Sequence, residues 1–191
     1  TTRYEWGNVP TLPIVQTLRP EGYFSHYTAI HLHGLTDQSP KVIYINSEQQ
    51  LSGGGGTLTQ AGIDRAFKGK CRVSQNTAAF REQTICVLNG QNTGNLGVVP
   101  IKLKSGHSVQ VTNIERTLVD SAVRPVYSGG VQQVAEAFKA AAKRVSVNKL
   151  VSYLRQIAFT YPYHQAVGYY LERSGEYSAS QLARLRELPI E

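Results

Sequence analysis

No methionine occurs among the 191 residues. A complete translation product begins with one, so the chain reads as a piece of a longer protein with a domain expected upstream; removal of the start residue would give the same absence. Cysteine is nearly missing as well. Cys71 and Cys86 cannot build a disulfide framework, and their spacing fits no zinc motif. Both are expected to act as small apolar residues in a reducing compartment, with Cys86, in TICVL, at a buried strand position. No apolar run approaches the roughly 18 residues of a membrane span, and TTRYEWGNVP lacks the basic flank and apolar core of a signal peptide, so neither is expected. With 41% hydrophobic and 17% charged residues, the composition is that of a globular chain rather than a disordered one.

Acid is the other scarce ingredient, and its scarcity is local. Residues 1–60 hold three basic and four acidic side chains, whereas residues 61–191 hold seventeen basic and nine acidic. No acid lies between Glu136 and Glu172, a gap that contains Lys139, Lys143, Arg144, Lys149 and Arg155. A second basic run is Arg65, Lys68, Lys70 and Arg72. One-sided positive charge suits a polyanion or an acidic protein, and these nine residues are the candidate nucleic-acid contacts. Tyr161, Tyr163 and His164 lie near the first of these runs in sequence and can stack or donate to phosphate. A solvated helix face is the other reading of the same charges.

What is present divides the chain in two. After a lead-in over 1–20, residues 21–111 alternate helix and strand signals. SHYTAIHLHGL reads as a short helix capped by Ser25 and ended by Gly34. SPKVIYIN, with its β-branched and aromatic run, reads as a strand over 39–46. SGGGG, residues 52–56, is too rich in glycine for a regular element and reads as a flexible loop. A helix is expected from Thr59 to Phe67, followed by apolar runs at 84–90, 96–106 and 107–112. The NG, TG and SG pairs between them suggest turns and an antiparallel set, with Pro100 on an edge. Residues 112–191 are helical in pattern. Val131, Val134, Ala135, Phe138, Ala142 and Val145 form one stripe; Ser146 can cap the next helix; Pro162 opens and Gly175 closes a third; SASQLARLREL is a fourth. The expected class is α+β: a small mixed or antiparallel sheet packed with a C-terminal group of amphipathic helices in a single domain.

The stretch VTNIERTLVDSAVRPVYSGG joins the halves. Thr112 and Glu115 have capping-box spacing, Ile114, Leu118 and Ala122 form an inward stripe, and Arg116 and Asp120 stand one turn apart and can pair. Arg124-Pro125 stops the helix, and Gly129-Gly130 turns the chain.

This stretch, together with YFSHYTAIHLHGLTDQSPKVIYIN, LTQAGIDRAFKGKCRVS and VNKLVSYLRQIAFTYPYHQAVGYYLERSG, resembles the AbiEi family: antitoxins and transcriptional regulators of bacterial type IV toxin–antitoxin systems that abort phage infection. The resemblance runs from about Tyr23 to Gly175 and implies the C-terminal antitoxin domain. It further implies a cytoplasmic, non-enzymatic protein without cofactor or metal. Such regulators carry a winged helix-turn-helix domain upstream, which these residues do not show. The implied partners are double-stranded DNA of the protein's own promoter and a nucleotidyltransferase-like toxin, the latter a functional partner without assumed contact. The motif positions are Glu115, Arg116, Asp120, Arg124, Tyr163, His164, Glu172 and Arg173, in structural or partner-contacting roles.

Competing chemistry is thinly represented. His31 and His33 are two apart, so on a helix they do not share a face for a metal. Asp64, Glu82, Glu115 and Asp120 are available to a nuclease, but no strand offers the acid–x–Lys pattern. SGGGG lacks the Gly-Lys-Ser/Thr of a phosphate loop. A protein-interaction domain docking an acidic partner is the alternative to DNA.

Overall fold

The computed structural model describes residues 7–49, 59–69, 71–157 and 159–189; SGGGG and Lys70 lie outside them. The fold is α+β. Six strands, β1 (Tyr23–Phe24), β2 (Val42–Gln49), β3 (Thr77–Phe80), β4 (Gln83–Gln91), β5 (Val98–Lys102) and β6 (Ser108–Thr112), form one sheet in the order β3-β4-β2-β1-β6-β5. The helices α1 (Thr11–Leu18), α2 (His26–Leu32) and α3 (Gln60–Lys68) belong to the front half. The back half holds α4 (Ile114–Val123), α5 (Val131–Ala141), α6 (Val147–Ile157), α7 (Tyr163–Ser174) and α8 (Ala179–Arg186), with a 3-10 turn over Pro125–Tyr127.

Two apolar clusters hold these layers. On the sheet, Ile43 and Ile45 of β2 and Val109 and Val111 of β6 recur with period two and bury one face beside Phe24, Ala29 and Val15. The second cluster lies among the helices and includes Leu118, Val134, Phe138, Leu150 and Leu171, none of them exposed to any extent. Burying each such side chain contributes about 1.5–3 kcal/mol.

Several expectations need correcting. The lead-in contains a helix, α1, whose Val15 is buried against the sheet. The strands are not a consecutive antiparallel set: β4 runs parallel to β2, Val42 opposite Thr84 through Gln49 opposite Gln91, and β1 runs parallel to β6. Asn89-Gly90 is not a turn but lies inside β4. A Cβ at Gly90 would stand 2.7 Å from Asn46 Nδ2, so the glycine serves close approach across the β2–β4 pair. Pro100 does lie on the terminal strand β5. Ser25 occupies the position before α2, but its hydroxyl meets His26 Nδ1 at 2.9 Å instead of capping. In α5, Val131 is 59% exposed, and the buried stripe is Val134, Ala137, Phe138 and Ala141. Gly34, Gly129, Gly130 and Gly175 adopt positive φ at the expected stops and turns.

The capping box is also replaced. Asn113 caps α4 by accepting from the Arg116 amide at 3.0 Å, while Thr112 belongs to β6 and its hydroxyl pairs with Thr117 at 2.8 Å. Glu115 is thereby released to another partner: it accepts from the Ser146 amide at 3.0 Å, and Lys149 Nζ stands 3.4 Å away, so it ties α4 to the start of α6.

Arg116 closes a buried polar joint between α4 and the loop after β4. Its Nε donates to Asp120 at 2.8 Å, and its Nη1 donates to the Leu96 carbonyl at 2.8 Å and to Thr93 Oγ1 at 3.0 Å. Thr93 passes the chain on: its hydroxyl and amide donate to Glu48, which also accepts from the Asn95 amide at 3.1 Å and Tyr23 Oη at 3.1 Å. Burial alone would raise the Glu48 carboxyl; these donors outweigh it and hold it below the usual carboxylate range. Gly97 sits against Arg116 with φ +77, and a Cβ there would fall 2.9 Å from the Arg116 Cβ.

Two outcomes follow from this packing. Arg116→Ala strands Asp120 and the Leu96 carbonyl, and removing one partner of a buried pair costs about 3–5 kcal/mol in urea unfolding; a loss below about 1 kcal/mol would place the pair in the surface class. His26 is buried at φ +52, edge-on to Tyr127 at 5.5 Å, and burial pushes its imidazole down to about 4. The unfolded chain takes up that proton first, so stability is full above the ordinary histidine value of about 6.5 and falls as pH drops toward 4. His26→Asn, which tolerates positive φ, flattens that part of the urea-midpoint profile; an unchanged slope would assign the acid loss to other groups.

Candidate nucleic-acid interface

Helix α3 presents the first basic run. Thr59 caps it by accepting from the Gly62 amide at 3.2 Å, and Arg65 and Lys68 fall in its last turn, where cations complement the helix dipole. Arg65, Lys68 and Arg72 are all exposed. The exposed Phe67 between them meets the Tyr161 ring edge-on at 5.2 Å, which joins α3 to the segment before α7. Tyr161 in turn is edge-on to Tyr163 at 6.0 Å, and Tyr163 to Phe159 at 5.3 Å.

Arg124, just past α4, belongs to this region. Its Nη1 donates to Cys71 Sγ at 3.1 Å. Cys71 is therefore an exposed, polar-contacting residue rather than the small apolar one expected, while Cys86 is buried in β4 as expected. Burial raises the Tyr163 hydroxyl above its ordinary value, and the nearby Arg124 charge works against that rise. Arg155, exposed at the end of α6, lines one cavity of about 490 Å³ with Tyr161, Tyr163 and His164. Burial lowers the His164 imidazole below its ordinary value.

The second basic run is split by the fold. Lys139 and Lys143 are exposed on α5 and just past its end. Arg144 Nη1 donates to the His33 carbonyl at 2.7 Å, and Lys149 is held by Glu115 and lies over the Tyr153 ring at 5.8 Å. Those two cations are exposed but already engaged by neighbours at the corner between α5 and α6. Arg155 stands at the far end of α6, with the aromatic segment. The gap in acidic residues thus marks two places, not one surface.

The remaining motif positions are distributed. Glu115, Arg116 and Asp120 serve the interior joints described above. Glu172 meets Arg186 at 3.4 Å with both side chains well exposed, a pair worth about 0–1 kcal/mol. Arg173 is exposed on α7. His33 Nε2 donates to the Thr112 carbonyl at 2.6 Å, tying α2 to the end of β6, and His31 Nδ1 is buried without a hydrogen-bond partner. Among the described residues, no group of His, Cys, Asp or Glu is placed to hold a metal ion, and no helix is long and apolar enough to cross a membrane. Sequence reasoning passed over Phe67 and Phe159. The signal for Phe159 was the aromatic density of FTYPYH; Phe67 looked like an ordinary helix end, and only the tertiary contact with Tyr161 gives it a place in the site.

Comparison with known proteins bears on the architecture. No family model matches the sequence. No curated protein matches it either. Among solved structures, the chain is similar to the crystal structure of the RV2827C protein from Mycobacterium tuberculosis, with a TM-score of 0.58 and 13% identity over 93% of this chain and 56% of that one. The chain thus spans a little over half of that protein's length, and at this identity the likeness shows the fold alone.

Proposed function

We propose that this chain is the antitoxin domain of an AbiEi-like regulator that represses its own promoter and counters a nucleotidyltransferase-like toxin. It uses a basic and aromatic surface to support DNA binding. The role is non-enzymatic: the cations engage duplex phosphates and set orientation, while base reading falls to a separate reader domain. The observation that supports this reading is the chain of contacts linking Phe67, Tyr161 and Tyr163 among the exposed Arg65, Lys68, Arg72, Arg124 and Arg155.

A second reading has its own observation. Phe67, Val73 and Val126 are 59%, 44% and 44% exposed near the same cations, a mixture that also fits an acidic protein partner.

Duplex binding measured over a salt series separates the two. The proposal expects weak binding by this chain with a steep salt slope, and tight binding to its own promoter when the native upstream sequence is restored. Arg65→Glu with Lys68→Glu lowers the affinity and reduces the slope by about one unit for each phosphate no longer neutralised. Both side chains are exposed, so the expected stability cost is the lost complement to the α3 dipole, about 1 kcal/mol. Unchanged affinity and slope in the double variant, or no duplex binding at low salt, turns the surface toward a protein partner. Expression beside the cognate toxin tests the antitoxin half: restored growth supports it, and unrelieved toxicity contradicts it.

A further inference from the structure

The cavity at the end of α6 has a chemistry that duplex binding does not use. It opens between that end, the 159–162 segment, the first turn of α7 and the chain after α8, with a volume of about 490 Å³. Ligand sites commonly occupy about 300–1,000 Å³, so it is large enough for a nucleotide and too small for a folded partner. A duplex has its bases stacked and its phosphates outside; it can lay a backbone across the rim but cannot fill the interior.

The lining is specific in kind. Phe159, Tyr161 and Tyr163 supply aromatic rings, Arg155 a guanidinium, His164 an imidazole, and Leu188 an apolar wall. No Asp or Glu is among the lining residues. The rings meet edge-on, at interplanar angles of 79° for Phe159 with Tyr163 and 81° for Tyr161 with Tyr163, so no two of them form a closed parallel stack. Aromatic faces beside a fixed positive charge suit a flat ring that carries an anion. Arg155 also borders the adjoining cavity of about 420 Å³, where Arg184 and Glu187 lie.

We propose that this cavity binds one unpaired nucleotide of a single-stranded nucleic acid, its base stacked on Tyr161 with the near-perpendicular Tyr163 ring meeting it edge-on, and its phosphate on Arg155. The inference goes beyond the duplex reading and does not require it, since the recognised group is a base free of its partner strand. Sequence tolerance follows, because every base offers a π-face, and the hydroxyls of Tyr161 and Tyr163 and the ring of His164 can donate to or accept from the base edge.

The test uses the full chain, with short labelled single strands of mixed sequence, one DNA and one RNA, beside a duplex of the same sequence. Binding is read by fluorescence anisotropy at fixed salt. Tyr161→Leu keeps bulk but removes the π-face, and Arg155→Gln removes the charge from an exposed position; circular dichroism and thermal melting confirm that both fold. The expected result is a loss of roughly tenfold in single-strand affinity for each variant; Arg155→Gln weakens the duplex as well, because a phosphate contact is lost, whereas Tyr161→Leu costs the duplex clearly less than the strand, because a duplex offers no free base face. A preference between the DNA and RNA strands names the source. Unchanged single-strand affinity in Tyr161→Leu overturns the proposal, and so does an equal loss for strand and duplex in that variant. The two readings fail separately: a wild-type chain that holds the strand but not the duplex leaves the cavity standing and removes duplex binding, and the reverse removes the cavity alone.

Discussion

Arg116 is the residue on which the arrangement of both halves depends. Its guanidinium is buried at the N-terminal end of α4, where a charge is tolerated only if it is paired and hydrogen-bonded. Asp120 accepts from it, as do the Leu96 carbonyl and Thr93, and Thr93 passes the connection to Glu48 near the end of β2. The loop after β4 is therefore held between a strand and a helix that are far apart in sequence. Tyr153 of α6 completes the junction by accepting from the Asn113 side chain at 2.7 Å. Gly97 is required where this loop passes the arginine, since a side chain there would meet both Arg116 and Tyr153.

From that junction the placement of the candidate surface follows. Once α4 is fixed on the sheet, its C-terminal end sets Arg124 beside Cys71, and the 3-10 turn sets Tyr127 to accept from the Ser74 amide at 2.8 Å. The segment after α3 is thereby pinned to the helical half, and Phe67 reaches Tyr161. Residues drawn from α3, the end of α4, the end of α6 and the start of α7 come together beside elements that the two apolar clusters hold in place. The motif residues that look most like chemistry in the sequence, Glu115, Arg116 and Asp120, position this surface from beneath and are not part of it.

The sequence showed the helical half well because its periodicity is local. The stops at Pro125, Gly129-Gly130 and Gly175, the Arg116–Asp120 pair and the Ser146 start of α6 were all readable from spacing. The sheet was harder. Its parallel β2–β4 pair joins strands separated by α3 and β3, and no local pattern distinguishes a parallel partner from an antiparallel one. Asn89-Gly90 carried a turn signal, yet its glycine answers to Asn46 on the neighbouring strand. The Thr112–Glu115 spacing fitted a capping box, but Thr112 was already claimed by β6. For the site, the acid-free gap is continuous in sequence, whereas in the fold the exposed Arg144 and Lys149 pair with His33 and Glu115 and, of the gap's cations, only Arg155 lines the cavity with the aromatics. Charge counts carry no information about which cations the fold itself consumes.

The central claim is that one side of the molecule, built from α3, Arg124 and the start of α7, meets nucleic acid. Amide chemical-shift mapping during titration of the full chain with promoter duplex tests it most directly. The account predicts that the perturbed amides cluster at residues 64–72, at Arg124 and over 155–164, while the corner holding Arg144 and Lys149 stays silent. Shifts centred on that corner, or none at low salt, would contradict it.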